Sequence, residues 1–168
     1  MHAHMTNGTL DFLKKLTESH PQMTFYFMTG SGGALAYYED RNKKSIFSSG
    51  RSYEVLKEAG DLIQEGYVIM STIPITEENQ AAYEDRIKSN LQQVLPGSNA
   101  FRFLRPTKGN KYVVLIHWNT VSAYEIWKRS DNYDKTLQIL ASKKSAYHGD
   151  IPFTTSYHMH KDEAEKSS

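Results

Sequence analysis

The sequence predicts an α+β fold in which one antiparallel sheet unit occurs twice. Three observations carry this. Segments with period-two alternation, clearest at 67–75, recur between segments of helical spacing. Glycine- and proline-marked turns separate adjacent alternating segments, as at 30–33 and 106–110. Finally, Ser52-Tyr53-Glu54-Val55-Leu56-Lys57 is echoed by Ala123-Tyr124-Glu125-Ile126-Trp127-Lys128 at an offset of 71 residues. At the same offset Phe12 maps to Tyr83 and Leu16 to Ile87, on the apolar stripe of an expected helix.

Each copy reads strand, helix, hairpin, helix. In the first copy a strand is expected at 2–5. A helix follows at 9–19, with Leu10, Leu13 and Leu16 at helical spacing and Pro21 beyond its end. Strands at 23–28 and 34–38 flank Gly30-Ser31-Gly32-Gly33, which reads as a turn because no clear helix follows it to cradle a phosphate. A short strand at 45–48 and a helix at 52–62 complete the copy. The second copy opens with the strand 67–75, where Ile69, Ser71 and Ile73 share one face and Val68, Met70 and Thr72 the other. Thr76 is placed to cap a helix over 77–94, which Pro96-Gly97 ends. A hairpin of 101–105 and 112–118 precedes helices at 122–129 and 134–143 and a last strand at 153–160. The order β-α-β-β-α-β is ferredoxin-like. Such sheets cover one face with their own helices and leave the other apolar, so two units can bury both free faces as an intrachain pseudo-dimer, a dimeric α+β barrel in one chain. The expected division is 1–64, 65–160 and a fraying tail at 161–168.

Composition narrows the function. At 168 residues, two separate cores are disfavoured, because units of about 70 residues bury little surface alone. With 20 Lys+Arg against 19 Asp+Glu the net charge is +1, which provides no field for a phosphate backbone and argues against nucleic acid. The lack of cysteine removes disulfides, thiolate zinc sites and thiol nucleophiles. No apolar run reaches the roughly 20 residues of a transmembrane span, and the first residues lack a signal-peptide pattern. A cytoplasmic protein is expected, free or peripheral to a membrane. No Ser-His-Asp, Walker, flavin or nicotinamide motif is present. His2 with His4, and His158 with His160, are pairs sharing a strand face, but neither has a fixed third ligand, so no metal is expected.

The block Phe103-Leu104-Arg105-Pro106-x-Lys108-Gly109-x-x-Tyr112, followed by Trp118-x-x-x-x-Ala123-Tyr124-x-x-Trp127-x-x-Ser130, resembles the antibiotic-biosynthesis-monooxygenase superfamily. Within it, the chain is similar to the two-repeat group of HmoB-type heme-degrading monooxygenases and TRAP-type signalling proteins. Asn7-Gly8-Thr9-x-Asp11-Phe12-Leu13 and Tyr53-Glu54-Val55 extend the likeness into the first copy.

For a heme-degrading member the resemblance implies three residues in the second repeat. An Asn on its first strand donates toward iron-bound oxygen, a Trp on the penultimate helix helps to ruffle the porphyrin, and a His ten residues later ligates the iron. Here Trp127 matches the Trp, Ser71 stands at the Asn position, and the His position is Leu137. Serine still donates a hydrogen bond, with shorter reach. His148, in the loop after the last expected helix, is the candidate replacement heme ligand. Trp127 either lines a pocket or is core, with Leu56 expected at its counterpart in the first copy. His117 alternates with Val113 and Leu115 and reads as structural. The leading expectation by resemblance is heme binding and degradation with an external electron donor; the alternatives are non-enzymatic TRAP-like signalling or stress response, and cofactor-independent oxidation of an aromatic substrate. The chain is expected to act as a monomeric pseudo-dimer or a homodimer.

Overall fold

The computed structural model of the chain describes residues 1–131 and 151–161. In chain order the elements are β1 (His2–Gly8), α1 (Leu10–Glu18), β2 (Tyr26–Gly30), β3 (Gly33–Asp40), β4 (Arg51–Gly60), β5 (Tyr67–Pro74), α2 (Gln80–Asn90), β6 (Ser98–Pro106), β7 (Lys111–Trp118), α3 (Val121–Lys128) and β8 (Phe153–Met159). The expected helix at 134–143 and the residues 162–168 of the tail lie outside the described residues.

The strands close into one barrel of order β1-β3-β2-β8-β5-β7-β6-β4. Cut at two seams, this ring is β4-β1-β3-β2 followed by β8-β5-β7-β6, so both halves have the ferredoxin-like strand order. The seams join fourth strand to second strand each way. One is long, with β4 paired to β6 from Tyr53↔Pro106 to Gly60↔Ala100. The other is short, with only Met28↔Met159 and Thr29↔His158 paired between β2 and β8. Gln64, on the connection between the halves, reinforces it. Its amide nitrogen donates to the carbonyls of Phe27 and His160, each at 2.8 Å, and its oxygen accepts from Phe27 N–H at 3.2 Å.

Alternation along each strand divides the apolar residues into three layers. Met5, Met28, Leu35, Tyr37, Val68, Met70, Leu104, Val113 and Leu115 fill the barrel. Leu13, Ala36, Tyr38 and Phe47 form the layer under α1. Ile69, Ile73, Phe101, Phe103, Tyr112, Trp118 and Trp127 form the layer under α2 and α3. Each fully buried large side chain stabilises the fold by about 1.5–3 kcal/mol.

The first copy differs from expectation in its second half. The segment expected as a helix at 52–62 is β4. Tyr53 and Val55 turn to the barrel interior, while Leu56 sits at a bulge between Val55 and Lys57 and packs against the layer under α2 and α3. Leu56 therefore touches Trp127's own cluster and is not its counterpart. The echo of Tyr53-Glu54 in Tyr124-Glu125 is a likeness between a strand and a helix. Nor does 45–48 form a strand. Residues 41–50 run irregularly where the second copy has α3, tied down by Thr6 Oγ1 donating to the Ser49 carbonyl and by Ile46 N–H donating to the Tyr38 hydroxyl at 2.9 Å. His4 is fully buried beneath this segment. Its Nδ1 lies 2.7 Å from Ser52 Oγ and its Nε2 2.9 Å from the Asn42 carbonyl, and its ring packs on Tyr38 at 4.8 Å. His2 and His4 do share a face, with rings 6.3 Å apart.

The helical offset holds with a shifted phase. Leu13 and Thr17 are the buried residues of α1, and Tyr83 and Ile87 those of α2, whereas Phe12 is 59% exposed. Thr9 caps α1, accepting from Phe12 N–H at 3.3 Å. Thr76 instead opens a single 3-10 turn, Glu77–Asn79, before α2. That helix ends at Asn90, short of the expected 94, because Leu91 leaves helical geometry to bury itself. The glycine cluster is the β2–β3 turn, with Gly30 opposite Gly33 and Gly33 at φ +118.

Two polar groups are sealed inside the barrel. Arg102 donates from Nε to Glu39 at 2.8 Å and from Nη1 to the carbonyls of Ala59, Gly60 and Phe101, while the Tyr37 hydroxyl donates to Glu39 at 2.7 Å. With both charges paired and hydrogen-bonded, the burial is tolerated. His117 shares the inward face with Val113 and Leu115, the residues its alternation groups it with, and is fully buried. Its Nε2–H donates to the Glu65 carbonyl at 2.6 Å, so Nε2 carries the proton.

Burial pushes the His117 imidazole below its ordinary pKa, against the raising effect of the Glu65 carbonyl. The folded state thus holds it neutral where the unfolded chain, with a pKa of about 6.5, takes up a proton. Its contribution is complete above that value and declines as pH falls toward the folded pKa. We expect urea stability to drop between pH 7 and pH 5 less steeply in His117→Gln, which keeps a donor for Glu65, than in the native chain. Equal slopes would contradict this.

Candidate functional site

The candidate residues lie on the outer face of β5, β7 and β6. Alternation along β5 turns Tyr67, Ile69, Ser71 and Ile73 outward and Val68 and Met70 inward. Ser71 is 8% exposed and stands between Val114 on β7 and Thr154 on β8. Trp127 enters from α3, which Thr120 caps by accepting from Ala123 N–H at 3.1 Å. The Trp127 ring lies 5.2 Å from Trp118 and 6.5 Å from Tyr124. Because Trp118 pairs with Tyr67, this places Trp127 at the Tyr67 end of the face. Ser71 is four residues further along β5, about 13 Å at ordinary strand rise. The two share a face without being brought into contact. His148 and Leu137 lie outside the described residues.

The face itself is filled. Ile69, Ile73, Val114, Ile116, Trp118 and Trp127 are each 5% exposed or less. Tyr83 of α2 packs edge-on against Tyr112 at 5.3 Å and Phe103 at 5.8 Å. At its far end the Tyr112 hydroxyl donates to Glu84, which also accepts from Arg105 Nη1 at 3.2 Å, while Arg105 Nη2 donates to Glu54. Burial first, and Glu84 second, push the Tyr112 phenol far above its ordinary pKa. It therefore stays protonated and serves as a tether between β7 and α2. The sequence reading missed this network, although Arg105 and Tyr112 both belong to the family-like block. The available signal was an unassigned Glu84 on the helix expected to cover that hairpin.

Among the described residues the donor set of this face does not fit a porphyrin. A heme at this face needs an iron ligand and a flat space beside Trp127. Trp127 instead closes on Trp118, and the imidazole this face supplies among the described residues, His158, packs at its rim on Tyr67 at 5.0 Å. His117 points into the barrel. Among the described residues no three His, Asp or Glu side chains converge for a metal, and no helix is long and apolar enough to cross a membrane.

We expect Trp127→Ala to lower unfolding stability by about 3–5 kcal/mol, as for a core tryptophan. A loss under about 1 kcal/mol in urea unfolding would instead mark a side chain lining open space.

Comparison with known proteins agrees with this architecture. Residues 66–138 match the family model described as antibiotic biosynthesis monooxygenase. The signal transduction protein TRAP of Staphylococcus aureus strain USA300 is 27% identical over 130 residues, covering 76% of this chain and 77% of that protein. The protein of the same name from Staphylococcus epidermidis is 26% identical over 143 residues, covering 82% and 83%. Among solved structures, one described as a major regulator of staphylococcal pathogenesis superposes with a TM-score of 0.81 at 22% identity, covering 96% of this chain and all of that one. The heme-degrading enzyme of Listeria monocytogenes superposes at 0.73 with 17% identity, covering 95% of this chain and 100% of its own. These structural likenesses show the fold. Residues 66–138 thus match the antibiotic-biosynthesis-monooxygenase family, and both halves of the closed barrel carry a ferredoxin-like strand order.

Proposed function

We propose that this chain is a non-enzymatic signalling or stress-response protein of TRAP type. The observation that carries the reading is the sealed outer face, where the residues matching a heme-degrading site, Ser71 and Trp127, are 8% and 5% exposed. Chemistry on a porphyrin or another aromatic substrate needs that face open, and here Trp118, Tyr124 and Trp127 close on one another. The substitutions agree, with Ser71 at the Asn position and Leu137 at the His position. Similarity to TRAP proteins across three quarters of the chain supports the same reading.

Heme degradation is the second reading. The shared face of Ser71 and Trp127 and the fold likeness to a heme-degrading enzyme favour it. It requires an external electron donor and a ligand such as His148.

A hemin titration followed by absorption spectroscopy separates the two. The signalling reading expects no saturable Soret shift at micromolar hemin and no ascorbate-dependent bleaching in air. A shift saturating at one heme per chain, with bleaching, would overturn it, and loss of the shift in His148→Ala would then identify the ligand.

A further inference from the structure

A cleft of about 430 Å³ opens at the end of the barrel where the β6–β7 hairpin passes the start of β4. Arg51, Lys108 and Lys111 line it, and no Asp or Glu does. None of the three pairs with a carboxylate among the described residues, whereas Arg102 and Arg105 are held by Glu39, Glu54 and Glu84. Three unneutralised cations thus face one cleft in a chain whose net charge is +1.

The walls are fixed. Thr107 donates from its backbone N–H and its hydroxyl to the Ser52 carbonyl, at 3.0 and 3.1 Å, locking the hairpin to β4. The buried Tyr53 lines the cleft beside Arg51. Gly109 takes φ +86 at the hairpin tip, and a Cβ there would meet nothing within 4 Å. The turn therefore needs glycine for its backbone, and its outer side faces open space. Lys108 and Gly109 belong to the family-like block, yet neither has a packing role.

The hollow next to it, about 300 Å³, shares Pro106 and Thr107 and presents Lys43 and His2, but Glu54 and Arg105 neutralise each other there. The concentration of free positive charge is particular to the first cleft. A guanidinium offers a planar fork and two ammonium groups offer point charges, a set suited to a dianion with several acceptor oxygens rather than to one carboxylate. The lack of a wider basic field argues against a polynucleotide.

We propose that this cleft binds the phosphate group of a small phosphomonoester. The site is independent of the Trp127 face, since Lys111 and Trp118 stand at opposite ends of β7, about 24 Å apart at ordinary strand rise. A soluble ester and a lipid headgroup share this chemistry, and the test has an arm for each.

Glycerol 3-phosphate is titrated into the ¹⁵N-labelled full chain at low ionic strength, and in parallel the chain is co-sedimented with phosphatidylcholine vesicles containing phosphatidic acid. Saturable amide shifts confined to 107–111 and the start of β4 are expected. They should weaken about tenfold or more in the combined variant Arg51→Gln, Lys108→Gln, Lys111→Gln. Lys43→Gln should leave them unchanged. These side chains are exposed, so melting temperatures should match the native chain. Absence of saturable shifts together with no sedimentation on phosphatidic acid vesicles, or equal weakening by Lys43→Gln, would overturn the site. Sedimentation with phosphatidic acid vesicles without any response to glycerol 3-phosphate would overturn the soluble ligand and assign the phosphate to a lipid headgroup.

Discussion

Closure of the barrel at two unequal seams is the constraint on which the remaining structure depends. Each half alone would present its inner sheet face and two strand edges to water, and exposed edges invite pairing with other chains. Joining β4 to β6 and β2 to β8 removes both edges of both halves and hides Met5, Met28, Leu35, Met70 and Leu115 in a common interior. The long seam supplies most of the pairing. The short seam has only two residue pairs and is reinforced by the Gln64 side chain, which donates to the Phe27 and His160 carbonyls and accepts from Phe27 N–H. Closure also decides where function can lie. An interior packed with side chains holds no ligand, so sites are restricted to the outer faces and the barrel ends.

That division separates two surfaces in the second half. The outer face beneath α2 and α3 is apolar, aromatic and sealed, and the end of the β6–β7 hairpin is open and cationic. Ser71 and Trp127 lie on the sealed face. Their burial turns residues with potential chemistry into packing. Trp127 on Trp118 and Tyr83 on Tyr112 are contacts that hold helices to a sheet, whatever the ancestry of those positions.

Alternation in 67–75 and 112–118 was legible because inward and outward residues differ in kind along those strands. It grouped Ser71 with Ile69 and Ile73, and His117 with Val113 and Leu115, as the barrel does. The helix at 10–18 was legible from Leu10, Leu13 and Leu16, although burial centres on Leu13 and Thr17. β4 was not legible. Tyr53 and Leu56 are spaced for a helix, and their strand partners, on β1 and β6, are distant in sequence, so pairing overrides local pattern. The likeness to Tyr124-Glu125 strengthened the wrong reading. The meeting of Arg51 with Lys108 shares this cause, since it arises when β4 docks against β6, which local sequence does not encode.

If closure makes the two halves one unit, they must unfold together. Both tryptophans, Trp118 and Trp127, lie in the second half, so their fluorescence reports that half while far-ultraviolet circular dichroism reports the whole chain. Urea unfolding followed by both signals is the direct measurement. Superimposable single transitions are predicted. A fluorescence transition displaced to higher urea, with the second half still folded after part of the dichroism is lost, would contradict the account.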